Sequence, residues 1–176
     1  MGVMSPFKDL GPCEVTFGAT VLQENIEAEF SFEISTAEVN TSRNGTAPVD
    51  EIVIGGRAEL RLQLTRFSLA ELTTITPGAS GTSGTSGNQM MVKSDVGTSL
   101  RDNAQQILVK PLDAGVATAD TTKWLTMFKA SPRPNYSWTF DVDSQRVAEV
   151  IFVAYPVTSG EVSGVPRNAM WKLGSV

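Results

Sequence analysis

The sequence predicts a mainly β protein: an antiparallel sandwich or barrel-like domain with one short flanking α-helix. Two alternating runs carry most of this. Ile26, Ala28, Phe30, Phe32 and Ile34 alternate with Glu27, Glu29, Ser31, Glu33 and Ser35. Ala58, Leu60, Leu62 and Leu64 alternate with Arg57, Glu59, Arg61, Gln63 and Thr65. Period two puts one face of each strand on the core and leaves the other wet. The 15 Gly and 9 Pro, among frequent Thr, Ser and Val, cut the chain into short strands and turns. Against these, Ser68-Leu69-Ala70-Glu71 has capping-box spacing, with Leu69, Leu72 and Ile75 as a helical apolar face and Thr76-Pro77-Gly78 as the stop.

In chain order, 1–11 is a polar lead-in arm. Residues 13–22 read as a first strand with Val15, Phe17, Ala19 and Val21 on one side. Gln23-Glu24-Asn25 turns into the acidic strand. The segment from Val39 to Glu51 is a polar, turn-rich loop with an Asn44-Gly45 signal and Pro48, and the strand carrying Arg57 and Arg61 follows it. Its two arginines suit an antiparallel neighbour for the glutamates of the acidic strand. After the helix at 68–76, the Gly/Ser/Thr-rich stretch 78–89 reads as a surface loop, because it has no apolar area to offset ordering entropy. Short strands are expected at 90–94 and at 105–112, the latter ended by Pro111. The pattern of 123–130 fits helix or strand, and its aromatics favour strand. Residues 131–135 read as a turn, 136–142 as an alternating strand, and 145–155 as a central strand covered on both faces. The stretch 156–176 is a polar C-terminal arm whose Trp171 packs on its own domain or on a neighbouring subunit.

No repeat or linker interrupts the 176 residues, which read as one domain. Hydrophobic content of 41% and charged content of 19% are those of a folded globular chain. A formal charge of −5 argues against general nucleic-acid binding by phosphate neutralisation, yet suits a surface past which DNA slides. The N-terminus lacks the apolar run of a signal peptide, Pro6 breaks the myristoylation pattern, and no apolar run approaches the ~20 residues of a membrane span. A soluble protein made in the cytoplasm is expected.

Little in the chain points to catalysis. Without histidine there are no His-based triads, ligands or proton relays. The one cysteine, Cys13, excludes a disulfide and all-Cys metal or cluster sites, and reads as a packing residue. Asp141 and Asp143 share a strand face and could serve as an acid pair, although a solvated hairpin end is the simpler reading. Tyr136 and Trp138 could form a sugar platform, or simply pack; Met90 and Met91 read as packing or subunit contact. No enzyme, cofactor or metal is expected.

The run 34–75 resembles the corresponding part of bacteriophage major tail tube proteins, those of long-tailed phages. The matching pieces are the acidic alternating strand, Gly45-Thr46-Ala47-Pro48-Val49-Asp50-Glu51-Ile52, the strand 59–64, and Thr65-Arg66-Phe67-Ser68-Leu69-Ala70-Glu71-Leu72 at the helix entry. The later strands, ending Val147-Ala148-Glu149-Val150-Ile151-Phe152-Val153-Ala154-Tyr155, fit the order more loosely, and the glycine-rich stretch 78–87 has no counterpart. The resemblance implies a helix-flanked β-sandwich that forms hexameric rings. Neighbouring sheets would join into a continuous lumen β-barrel, and the rings would stack into a tube that conducts DNA into the host. It implies a virion protein assembled in the host cytoplasm, with tape measure, terminator and baseplate or tip proteins as partners, DNA in transient passage, and no membrane. The long loop would reach the adjacent ring through Asn40, Thr41, Ser42, Arg43, Asn44, Gly45, Thr46, Pro48, Asp50 and Glu51. Glu27, Glu29, Glu33 and Glu59 would line the lumen, provided Arg57 and Arg61 are paired with carboxylates. Alternative readings are another virion sandwich (neck, tail terminator or capsid decoration) and a glycan- or cell-surface-binding module using Tyr136, Trp138 and Trp171.

Overall fold

The computed structural model describes residues 12–22, 25–39, 49–65, 67–82, 89–94, 96–136, 138 and 147–174, with the side chains of all but 25–27 and 82. The chain reverses at once. The expected first strand is two, β1 (Cys13–Phe17) and β2 (Thr20–Leu22), because Gly18 at φ +58° turns the backbone between them. That left-handed conformation favours glycine, and a Cβ there would also push aside the amide end of Gln105. The break changes the expected faces: Val15, Phe17 and Leu22 are buried, while Val21 is 41% exposed.

Two 15-residue strands follow, β3 (Asn25–Val39) and β4 (Asp50–Leu64), paired antiparallel over their whole length. Here the loop expected to run to Glu51 is shorter. Asp50 and Glu51 belong to β4, opposite Val39 and Glu38, because backbone pairing with the end of β3 satisfies their polar groups. The capping box forms as read: Glu71 N donates to Ser68 Oγ, and Ser68 N donates to Glu71 Oε2, at the start of α1 (Leu69–Ile75). Leu72 and Ile75 enter the core and Leu69 stays exposed. Part of the Gly/Ser/Thr stretch is strand rather than loop. β5 (Ala79–Thr82) pairs with β6 (Gln89–Val92), since backbone bonding needs no apolar side chain.

β7 (Gln105–Asp113) runs through Pro111 instead of stopping there. Pro111 lies opposite Cys13, and its carbonyl still accepts from Thr118 N. β7 then folds onto β8 (Val116–Ala117). Of the 123–130 stretch, 125–130 is strand, within β9 (Leu125–Asn135), while Lys123 ends a 3-10 turn (Thr121–Lys123); β9 continues through the expected turn at 131–135. Pro132 and Pro134 are two apart, so both missing donors fall on the edge that β7 flanks only as far as Ala130. Tyr136 and Trp138 lie beyond the end of β9; the rest of the expected 136–142 strand lies outside the described residues, as do Asp141 and Asp143. β10 (Ala148–Ala154) and β11 (Trp171–Leu173) complete the sheet.

Among the described residues the main sheet has nine strands in the order β2-β1-β7-β9-β10-β4-β3, with β8 on β7 and β11 on β9, every pair antiparallel. It curls on itself. The rings of Phe17 on β1 and Phe152 on β10 meet at 5.2 Å although two strands separate them in the sheet. Leu60, Leu62, Leu64, Ile107, Met127 and Val150 fill the space between, and α1 closes one side. Truncating such a side chain removes transfer energy and leaves a cavity. Leu62→Ala should therefore lower unfolding free energy by about 2–5 kcal/mol in urea titration. Ser68→Ala, which breaks one cap, should cost about 1 kcal/mol by the same measurement.

Candidate functional site

Half of the β3–β4 hairpin builds the core and half does not. From 58 to 64, β4 alternates buried and more exposed residues and pairs with β10. From 50 to 57 every residue is exposed. At ~3.3 Å per residue, this half projects roughly 25 Å as a two-stranded arm. The alternation in β3 therefore does not mean one continuous core face. Phe30 packs against the core, whereas Ala28 is exposed, Phe32 is 41% and Ile34 55% exposed, and Ile26 lies among the undescribed side chains. The arm carries further uncovered aliphatics, Ile52, Val53 and Ile54, which are 54–67% exposed. A register shift between Ser35 and Thr36 bends it, and Gly55 and Gly56 sit just below that shift in β4. Gly56 also makes room for the Phe32 ring, 3.2 Å from where a Cβ would stand. Among the described residues, such an arm exposes apolar surface and strand edges with no further partner together.

The charged side chains lie on the sheet face opposite the core, at the root of the arm. Register sets Glu29 opposite Arg61, Glu33 opposite Arg57, and Ser31 opposite Glu59. Arg57 pairs with Glu59 at 2.5 Å, and Arg61 with Glu149 on β10 at 3.0 Å. Each guanidinium is thus ion-paired with one carboxylate and has a second glutamate opposite it in register, and four carboxylates against two cations leave the patch acidic. Arg133, opposite Ile151 on the strand beyond β10, adds a further cation to this face. The pairs are solvent-exposed and contribute ~0–1 kcal/mol each, so they shape the field more than the stability. Glu27 is in register with Gln63, its side chain undescribed. Of the loop residues read from sequence, Asn40, Thr41, Ser42, Arg43, Asn44, Gly45, Thr46 and Pro48 lie outside the described residues, while Asp50 and Glu51 stand in the arm. Sequence reasoning missed Glu149, whose only signal was its place in an otherwise apolar strand.

The aromatics are engaged internally. Trp138 stacks on Phe67 (5.6 Å) and on Tyr136 (5.5 Å), and the Tyr136 hydroxyl shares a hydrogen bond with Thr76 Oγ1 at 3.0 Å. Trp171 meets Phe30 at 5.0 Å and Phe32 at 5.4 Å, both edge-on, which puts it on its own domain. These contacts leave little aromatic face for a sugar. Burial pushes the Cys13 thiol up, the wrong direction for a reactive thiolate. Among the described residues no group of acidic, Cys or His side chains is placed to hold a metal ion.

A second polar centre lies on the C-terminal segment. Glu161 accepts from Lys129 Nζ, from Arg101 Nη2 at 2.9 Å, and from both the N–H and hydroxyl of Thr158. The Lys129 bond, then the Thr158 bonds and the Arg101 charge, hold its carboxyl at about 2, against an ordinary value of 4.5. A depressed carboxylate adds stability that is complete above the unfolded value and lost as pH falls through the folded one. Thermal stability should therefore lose a contribution between pH 4.5 and about 2, and Glu161→Gln should flatten that part of the profile.

No family model matches the chain, and no curated protein matches its sequence. Among solved structures it is similar to the anti-feeding prophage cap, a tube-terminating cap solved by cryo-EM. The two share a TM-score of 0.52 and 10% sequence identity over 87% of each chain. At that identity the likeness is one of fold. This chain adopts the mainly β fold of that cap over most of its length.

Proposed function

We propose that this protein is a structural subunit of a phage-type tail, without catalytic activity, that forms hexameric rings stacking into the tail tube. The observation that carries the reading is the arm: apolar residues exposed over both strands of a hairpin whose other half sends Leu60, Leu62 and Leu64 into the core. An isolated two-stranded ribbon is marginal in water, so this one is built to be covered. Edge pairing with the next copy would satisfy its backbone and extend the curled sheet from subunit to subunit. The carboxylate-rich face at its root, with Glu29, Glu33 and Glu59, would then line the bore. Its arginines, each ion-paired with a carboxylate, would grip passing phosphates less than free cations do. Glu27 and the 40–48 loop join this reading as lumen and inter-ring elements. Tape measure, terminator and baseplate or tip proteins are the expected partners, with assembly in the host cytoplasm and DNA in transient passage.

The likeness to a tube-terminating cap supports a second reading, in which the chain ends a tail tube rather than extending it. Negative-stain microscopy of the purified protein separates the two. Long tubes are expected for the tube subunit, single closed rings for a terminator, and monomers at every concentration would defeat both. Replacing Ile52 and Ile54 with Lys should abolish the assemblies while leaving the melting curve of the monomer near that of the parent, because neither side chain reaches the core. Changing Glu29, Glu33 and Glu59 to Lys should spare assembly and impair DNA delivery; undiminished infectivity would remove the lumen assignment.

A further inference from the structure

The segment 156–173 does more than end the chain. It leaves β10, folds into a closed loop and returns to β9 as β11. Val157, fully buried, donates to Ala169 O at 2.9 Å and accepts from Asn168 N at 2.8 Å, which ties the two ends of the loop together. Inside it, turns closed by Glu161 N to Thr158 O and Val165 N to Val162 O fix the path. One end is latched by Glu161, which engages Lys129 of β9 and Arg101 of the 98–104 loop; Arg101 also donates to Pro156 O at 3.2 Å. At the other end Phe128 N donates to Met170 O, Gly174 N donates to Trp124 O, and the Trp171 ring abuts Phe30 and Phe32 at the arm's root.

We propose that 156–173 is a strap that sets the direction of the β3–β4 arm by linking the 98–104 loop to Trp171. The arm's root has no helix over it among the described residues, and Trp171 is the aromatic that braces Phe30 and Phe32 there. The strap between Glu161 and Trp171 is short, closed by hydrogen bonds, and held to β9 at both ends, by Lys129 and by the pairing of β11. The same 98–104 loop forms a wall of a cleft of roughly 830 Å³ together with Thr74, Thr76, Pro77 and Lys93. A displacement of the loop thus pulls on Glu161, shifts the strap, and releases or reorients the arm. Its consequence for assembly rests on the tail-subunit reading; the coupling itself does not.

Hydrogen exchange on the free full-length subunit tests it. Glu161→Gln is expected to raise exchange about tenfold in 98–104, in 156–170 and also at 29–34, the arm's root. Trp171→Ala should raise 29–34 alone among these and leave 98–104 protected. Arg101→Gln, which removes only the loop's hold and spares the Lys129 contact, should repeat the rise at 29–34 on a smaller scale. If Glu161→Gln and Arg101→Gln loosen their own loops while 29–34 keeps its parental protection, or if Trp171→Ala leaves 29–34 unchanged, the strap does not direct the arm. The exchange measurement reads the coupling whether or not rings form, and microscopy reads the rings whether or not the coupling exists.

Discussion

Everything about this molecule depends on one mismatch of length. β3 and β4 pair with each other for 15 residues, but β10 supports β4 only from Glu59 to Leu64. Within that overlap, backbone bonding and apolar burial act together, and the alternating leucines of β4 are sealed off from water. Past it, the backbone bonds continue without burial. The ladder persists because each strand satisfies the other's polar groups, while the side chains gain nothing from the fold of the single chain. The result is stable at its root and unfinished at its end.

The charges follow the same division. On the supported half, register places Glu29 opposite Arg61, and β10 adds Glu149, which pairs with that arginine before any partner arrives. On the arm, Glu38 stands directly opposite Glu51, an unfavourable placement for a free ribbon. Covering the hairpin, by another copy in the reading favoured here, relieves the aliphatic exposure, and a cation from the covering copy would relieve the opposed carboxylates. The C-terminal segment belongs to the same economy of support. Where the sheet offers the arm no further strand, Trp171 supplies an aromatic brace, and Glu161 ties that brace back to β9.

Much of the fold was legible in the residues. The capping box at Ser68 and Glu71 formed as its spacing implied, because a helix start is a local matter of four unsatisfied N–H groups. The β3–β4 pairing and the central strand at 148–154 were equally plain, since period two and continuous apolar runs have direct structural meaning. The misreadings came from places where local signals were outvoted. Pro111 and the prolines at 132 and 134 read as breaks, yet each sits where its missing donor is not needed. Gly18 read as strand interior and is a turn. The glycine- and serine-rich 79–82 read as loop and is paired, because backbone bonding is indifferent to composition.

By itself, the sequence determined that this is a sheet protein with one capped helix, an acidic balance and no imidazole chemistry, for those follow from periodicity and composition. Tertiary structure alone decided which half of the alternating strands would be core, since alternation records a two-faced strand and not whether anything lies over either face. It also decided that Glu149 would meet Arg61, and that Trp171 would reach back to Phe30 and Phe32. Both contacts join residues far apart in the chain: the pairing of β10 with β4 brings the first within reach, and the return of β11 to β9 the second.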